Sequence, residues 1–435
     1  MTAGALKYKD EPAMKPLSLF VLVLTLFGLS ACGPVPRNSQ IIQPKFLFSL
    51  DYGLQDRMLG LPEGRAGEVE VYMREGIFHI LDPVLKKILR TSSYGDLLSS
   101  IYDSETTPSP SFGMTYDRPA KETGAGTLLN EGRYAVRTIF FLPSRLSVDS
   151  AQKIYLADRL DDQDSGAFDP LTGSYGGWII RRFGENGREL PYLGREGSRG
   201  SAFPRILRTD CLSDDSIVVV STSGSFYTVY RYSSDARLLS SFGIDTAALP
   251  IPLELVDSNK NSGSTGKIRA DVENLIPMKT ASGFSVILKL NYYRETSDPA
   301  TLINTGLENA GSWIFSMDGT TGSQNFGFQL ELSENAGEEE EWDFLGVHGD
   351  NFLLSSPQRQ PGGKLGDKTS GQFRGEESRV LRLVDPSGKA LGACEIRIPG
   401  GAGLLKSLRV SSTAQLYGIL LGRDEAKILW WELPF

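Results

Sequence analysis

The sequence predicts an all-β fold, a six-bladed β-propeller, and three observations support that prediction. Groups of four short β-rich runs recur along the chain with polar turns between them. The 47 glycines, 23 prolines and 10% aromatic residues suit a chain of many strands and turns. One strand-like run near the N-terminus stands outside the groups, and the last group lacks a fourth strand. An open ring would leave a sheet edge exposed, so we expect this run to complete the last blade.

The chain begins with a segment typical of an export signal. Lys15 precedes an apolar run of 13 residues, Leu17–Leu29, which as a helix spans about 20 Å, less than a bilayer core of about 30 Å. The sequence Leu-Ser-Ala-Cys follows at residues 29–32 and resembles the lipobox of bacterial lipoproteins. The resemblance implies that Cys32 receives a diacylglyceryl group and becomes the first residue of the mature chain. The alternative is a secretory signal with an incidental cysteine.

These features divide the chain into three predicted parts. Residues 1–31 form the signal peptide, with Met14 as an alternative start, and residues 32–45 form a lipidated tether that is rich in proline. Residues 46–435 form the β-propeller. Two acyl chains are enough for stable anchoring. We therefore expect a protein of the bacterial cell envelope, periplasmic or surface-exposed, that is attached to a membrane through the lipid on Cys32.

Two of the six predicted blades are clear in the sequence, and both lie within residues 139–243. In the first of them, Val148-Asp149 is followed by IYLAD at residues 154–158, by IRRF at residues 180–183 and by Gly187. This order resembles the repeat of NHL-type β-propellers, and the resemblance implies blades of four strands. The second clear blade is predicted to begin with the strand Phe203–Leu207.

Four weaker copies are placed by their central strands, at residues 77–95, 284–319, 351–388 and 415–433. The orphan strand at residues 46–51 alternates apolar and polar side chains and is predicted to close the last blade. A seventh blade within residues 100–140 or 244–280 remains an alternative.

Three segments rich in Ser, Thr, Gly and Pro interrupt the repeats: residues 102–131, 256–268 and 356–378. We interpret them as loops on the rims of the propeller. Such insertions can carry partner contacts, and simple tolerance of loop length explains them equally.

Charge and composition exclude several functions. The formal net charge is −8 and the Lys and Arg residues are scattered, which argues against nucleic acid and against a polybasic membrane patch. His79 and His348 are the only histidines, which argues against metal sites built from histidine and against His-containing catalytic triads. His79 is expected to be a packed or surface residue. Cys211 and Cys394 lie in different repeats and are expected to remain buried thiols.

A weak candidate for a calcium site lies in one turn. Ca²⁺ requires six to eight oxygen ligands, and an acidic turn supplies some of them. The distal Glu of an EF-hand loop is absent here, so a solvated hairpin tip is the alternative. The candidate ligands are Asp158, Asp161, Asp162 and Asp164.

Six-bladed lactonases hold a metal on the central axis through side chains from several blades. Asp149, Asp210 and Asp271 fall near predicted first strands, where they could face the channel or lie in turns. No complete set of ligands can be matched blade by blade.

Two functions are consistent with these features. The first is a lipid-anchored propeller that acts as a binding or scaffold module for an envelope partner, with no catalytic residue in evidence. It resembles in arrangement the propeller lipoproteins that assist outer-membrane assembly, although none of their motifs is matched. The alternative is a lactonase-like hydrolase with calcium on its axis.

Overall fold

Six antiparallel sheets form the blades of a β-propeller in a computed structural model of the chain. The chain divides into two units, Met1–Gln40 and Ile41–Phe435, and the second contains the blades. The structure describes residues 40–60, 69–111, 114–116, 133–160, 168–169, 174–175, 177–256, 267–280, 283–297, 304–330, 342–357, 377–399, 403–411 and 415–435.

Each blade is a meander of four strands, numbered here from the axis outward. Blade 1 contains Glu70–Arg74, Ile77–Asp82, Lys87–Ser92 and Leu97–Asp103; blade 2 contains Ser144–Val148, Ile154–Arg159, Trp178–Phe183 and Glu189–Gly194; blade 3 contains Ile206–Cys211, Ile217–Ser223, Phe226–Tyr232 and Leu238–Asp245. Blade 4 contains Ile268–Thr280, Gly283–Ser297, Asn304–Asp318 and Gln324–Gln329; blade 5 contains Asp343–His348, Asn351–Pro357, Glu377–Val384 and Ala390–Ile398; blade 6 contains Leu404–Val410, Leu416–Leu421, Glu425–Trp431 and Lys45–Asp51.

The predicted closure of the ring is confirmed. The N-terminal strand Lys45–Asp51 pairs antiparallel with Glu425–Trp431 and becomes the outermost strand of blade 6. The hydroxyl of Tyr52 adds a hydrogen bond of 3.0 Å to the carbonyl of Gly422. The first and last parts of the propeller sequence are thereby joined in one sheet, which removes the edge that an open ring would expose.

Shorter strands extend three blades. In blade 1, Tyr134–Thr138 runs parallel to Leu97–Asp103 and also pairs with Met114–Tyr116. Gly197–Ser198 adds a fifth strand to blade 2, and Gln40–Ile42, within the predicted tether, borders the outermost strand of blade 5. A two-stranded hairpin pairs Phe168–Asp169 with Ser174–Tyr175.

The number of blades is six, as predicted. In the described parts of residues 100–140 and 244–280, the strands belong to blades 1, 3 and 4, so they form no seventh blade.

The predicted first strand of blade 3 is displaced from Phe203–Leu207. Phe203 instead forms a bridge with Trp178 of blade 2, and the strand begins at Ile206. Pro204 lies between them and has no N–H to donate to a sheet, which accounts for the break.

Six hydrophobic clusters occupy the six interfaces between neighbouring blades. The second strand of blade 3 shows how the sequence builds them. Ile217 and Val219 pack toward blade 2, whereas Val218 and Val220 pack toward blade 4. Side chains of a strand alternate between the two faces of a sheet. A blade covered on both faces therefore needs a continuous apolar run, and this is the pattern of the central strands.

The two faces of the ring differ in their connections. Those from the first to the second strand and from the third to the fourth are five residues or fewer, and they define the short-turn face. All longer connections join the second to the third strand or lead to the next blade, and they define the long-connection face. The segments predicted as rim loops, residues 102–131, 256–268 and 356–378, connect strands at that face. Apart from their ends and strand Met114–Tyr116, they lie outside the described residues.

Candidate functional site: the axial cavity

The first strands of the six blades surround a cavity of about 540 Å³ on the propeller axis. Every blade contributes to its wall. The lining includes Val69 and Glu70 of blade 1, Arg145 of blade 2, Leu207, Arg208, Thr209 and Asp210 of blade 3, Val272, Glu273, Asn274 and Leu275 of blade 4, Phe344 and Leu345 of blade 5, and Ser407, Leu408 and Arg409 of blade 6, together with Val220 and Tyr227 of blade 3.

The first strand is bulged beside the cavity in five of the six blades. The pairing register slips there, so that an extra residue is inserted opposite the second strand. The residues within the bulges are Arg145, Leu207, Glu273, Leu345 and the pair Ser407–Leu408. Each of them also lines the cavity. A bulge bends its strand and redirects a side chain, and here the same device recurs around one ring.

Two of the bulged residues have a backbone conformation that non-glycine residues rarely adopt. The φ angle is +46° at Arg145 and +49° at Ser407. The hydroxyl of Ser407 accepts the amide of Val71 at 3.3 Å and donates to the carbonyl of Val69 at 3.2 Å. These bonds fasten the blade 6 bulge to blade 1, so the bent conformation is held in place.

Glu70 ties three blades together at the edge of the cavity. Its Oε1 accepts a hydrogen bond from Nη1 of Arg145 at 2.7 Å. Its Oε2 accepts hydrogen bonds from Nη2 of Arg409 at 3.1 Å and from the backbone amide of Leu146 at 2.9 Å. Burial alone raises the pKa of Glu70, but the two guanidinium groups and the amide outweigh it and hold the pKa below its ordinary value. Glu70 is therefore ionised at neutral pH.

The other two axial carboxylates are also paired. Asp210 forms a bidentate pair with Arg208: its two carboxylate oxygens accept hydrogen bonds from Nε and from Nη2, the latter at 3.1 Å. Glu273 accepts hydrogen bonds from Nζ of Lys289 at 2.5 Å and from the side-chain amide of Asn291 at 2.7 Å. Lys289 is 1% exposed, and Glu273 is the acidic partner that accompanies it in this buried position.

The structure places the three axial aspartate candidates differently. Asp210 lines the cavity, as its position near a first strand suggested. Asp149 lies in the turn after its strand, where it accepts the amide of Lys153 at 2.8 Å and the hydroxyl of Tyr155 at 3.1 Å. Asp271 is exposed on the first strand of blade 4 and does not line the cavity.

Of the predicted calcium ligands, only Asp158 is described. Its buried carboxylate accepts the amides of Phe141 and Leu142 and the guanidinium of Arg181, which holds the connection from blade 1 to blade 2. Burial raises the pKa of Asp158 despite the opposing charge of Arg181. Asp161, Asp162 and Asp164 lie outside the described residues, so the calcium site stays a prediction.

In the parts of the chain that the structure describes, no three His, Cys, Asp or Glu side chains come together as a metal-binding group. His79 is fully buried in the second strand of blade 1, and neither ring nitrogen has a hydrogen-bond partner among the described residues. Cys211 and Cys394 are buried free thiols, as expected. Burial raises the pKa of the Cys394 thiol to about 12, which makes it a poor nucleophile.

Cys32 and the apolar run before it lie outside the described residues, so lipidation stays a prediction. Within the described part of the chain, none of the helices has the length and apolar character needed to cross a bilayer.

Five charged residues of the cavity were not among the predicted site residues. They are Glu70, Arg145, Arg208, Glu273 and Arg409. Their shared signal is a charged residue among apolar ones in the first strand of a blade. That signal is weak in any one blade, because a solvent-facing strand residue gives the same pattern.

The sequence matches no known protein-family model and no curated protein. Solved structures to which the chain shows similarity include a member of the DUF4221 family from Bacteroides vulgatus, with 8% identity, a TM-score of 0.38, and coverage of 91% of this chain and 99% of that one. The polysaccharide lyase Uly1 has 10% identity, a TM-score of 0.37, and coverage of 90% and 96%. The hydrazine synthase of Kuenenia stuttgartiensis has 8% identity, a TM-score of 0.36, and coverage of 85% and 80%. None of these similarities assigns an activity to this chain.

Proposed function

We propose that this protein is a lipid-anchored binding module of the bacterial cell envelope that engages its partner through the long-connection face. The observation that supports this proposal is the asymmetry of the ring, because every connection longer than five residues opens on one face. A rigid scaffold with its longer loops on one side is the usual arrangement of a recognition surface.

Blade 4 extends this face. Its first three strands have 13, 15 and 15 residues, longer than those of any other blade. Residues 292–297 continue to pair with residues 304–311 beyond the level of the cavity. At about 3.3 Å per residue this ribbon rises roughly 20 Å. Leu307 on the ribbon is 56% exposed, which gives a partner an apolar contact.

The proposed anchor is close to the propeller in the sequence. The strand Lys45–Asp51 begins at the short-turn face, where Lys45 pairs with Trp430 near the end of its strand. Cys32 precedes Gln40, the first residue of the strand Gln40–Ile42, by eight residues, a distance of at most about 28 Å when extended. A lipid on Cys32 would therefore keep the propeller within a short reach of the bilayer.

A crosslinking experiment in intact cells tests both parts of the proposal. A photo-crosslinking residue replaces Leu307 on the blade 4 ribbon or, as the control, Asp235 in an exposed turn of the short-turn face. We expect a single envelope component to be crosslinked at 307 and not at 235. Radioactive palmitate should label the wild type and not Cys32→Ser. Equal adducts at both positions would refute the recognition face, and labelling of Cys32→Ser would refute the anchor.

The alternative of an axial-calcium hydrolase draws no support from the cavity. Its carboxylates, Glu70, Asp210 and Glu273, each pair with an Arg or Lys side chain. Bound calcium would stabilise the fold by mass action. We therefore expect EDTA to leave the melting temperature unchanged, and a clear decrease would revive the hydrolase.

A further inference from the structure

We propose that the axial cavity is a binding site for a small anionic molecule, whose carboxylate or phosphate oxygens are bound by Arg145, Arg208 and Arg409. This site is separate from the partner surface on the loops, and its proposal does not depend on the lipid anchor. It is supported by the balance of donors and acceptors in the cavity and by the shape of its backbone.

The carboxylate oxygens of the cavity wall already accept hydrogen bonds. Both carboxylate oxygens of Glu70, of Asp210 and of Glu273 accept at least one hydrogen bond from a neighbouring side chain or amide. A cation entering the cavity would have to displace these partners. Displacing Glu273 would leave the buried ammonium group of Lys289 unpaired, and displacing Glu70 or Asp210 would separate the partly exposed guanidinium groups from their counter-charges.

The donors are mostly unused. A guanidinium group carries five N–H donors. Toward the described residues, Arg145 donates one hydrogen bond, Arg208 two and Arg409 one. The other guanidinium N–H groups of these three cavity-lining arginines have no hydrogen-bond partner among the described residues, and in this proposal they bind the ligand. A planar guanidinium matches a carboxylate or phosphate with two parallel bonds, which is the strongest contact that these donors can make.

The backbone holds these donors in place. Arg145 lies in a bulge with φ of +46°, and Arg409 directly follows the bulge at Ser407 and Leu408. Glu70 is bonded to both arginines, so it fixes their positions before any ligand arrives. Unusual backbone conformations of this kind concentrate at functional sites, where surrounding structure maintains them.

The size of the cavity indicates a small molecule. Its volume of about 540 Å³ falls within the 300–1,000 Å³ typical of small-ligand sites. Tyr227 and Phe344 lie in the wall and offer apolar surface beside the charged groups. We infer a ligand with an anionic group and a compact organic body, such as a sugar acid or a small polycarboxylate.

Calorimetric titration of the full-length protein in detergent tests this site. The probes are glucuronate, citrate and inorganic phosphate, and glucose is the neutral counterpart of glucuronate. We expect at least one of the anions to bind with 1:1 stoichiometry and glucose to bind at least tenfold more weakly than glucuronate. A phosphate-only response would indicate phosphate as the recognised group, and a glucuronate or citrate response would indicate a carboxylate.

Two variants locate the binding. Arg208→Met and Arg145→Met each remove donors from partly exposed positions, and each should weaken binding of the responding anion at least tenfold. Arg269→Met is the matched control, because Arg269 pairs with Glu295 outside the cavity and its side chain is 60% exposed. Circular dichroism and melting curves establish that each variant is folded. The proposal is wrong if no anion binds more tightly than 1 mM, or if folded Arg208→Met and Arg145→Met both bind like the control.

Discussion

The strand Lys45–Asp51, which closes the ring, carries two phenylalanines in opposite environments, and they allow a direct test of the closure. Phe48 is 3% exposed, in the cluster between blades 6 and 1, and its ring packs edge-to-face on Phe78 with centroids 5.7 Å apart. Phe46 is 57% exposed on the same strand. Replacing a buried Phe by Ala removes its apolar burial and leaves a cavity, at a typical cost of 3–5 kcal/mol. We expect Phe48→Ala to cost about 4 kcal/mol and Phe46→Ala less than about 0.5 kcal/mol.

Urea unfolding, followed by tryptophan fluorescence and by far-ultraviolet circular dichroism, measures both variants. Coincident transitions from the two probes would justify a single free energy of unfolding. Trp430 is a suitable reporter because its backbone pairs with Lys45 of the closing strand. If the Phe48→Ala midpoint lies within error of the Phe46→Ala midpoint, the strand contributes nothing to stability and the ring is not closed in this way.

Two further outcomes are expected. Burial, with a smaller effect of Arg90, lowers the pKa of His79 from 6.5 to about 3, so below pH 6.5 the unfolded chain binds a proton that the folded chain excludes. The free energy of unfolding should therefore fall between pH 7 and pH 5, and urea titrations should show that it falls by about 2 kcal/mol more in the wild type than in His79→Gln. An equal fall in both proteins would contradict this prediction. A Cβ at Gly194 would lie 2.2 Å from the carbonyl oxygen of Gly200, so Gly194→Ala should lower the free energy of unfolding by about 2 kcal/mol in the same assay. The control is Gly243→Ala, whose Cβ would have its nearest neighbour at 4.0 Å, and it should lower the free energy of unfolding by less.

The fold was predictable because its signals are local. A continuous apolar run such as Ile217–Val220 predicts a strand covered on both faces, and the spacing of such runs predicts blades. The orphan run at residues 46–51 predicted closure, since an unpaired strand and an incomplete last blade satisfy each other. The start of blade 3 was missed because Phe203 belongs to the same apolar pattern, although Pro204 separates it from the strand at Ile206.

The site was less predictable because it is assembled from six distant segments. Glu70 and Arg409 are separated by 339 residues and bond across the ring closure. Asp210 was placed near the axis from its position in a repeat, but the same reasoning also selected Asp149, which lies in a turn. Bulges decide which side chains enter the cavity, and a bulge shifts the alternation by one residue. Arg145 illustrates this, since its backbone conformation has no signature in the sequence.

The division between stability and recognition follows from where the apolar surface is buried. The six clusters lie between blades, so Phe48 and its counterparts hold the ring together at a distance from the axis. The charged side chains of the cavity wall are joined in pairs, and the partly exposed pair of Arg208 and Asp210 contributes little net stability. Arg208→Met should therefore unfold at nearly the wild-type urea concentration, although we expect it to lose the anion. A propeller of this kind can change its axial ligand by substitutions on its first strands while its interfaces stay intact.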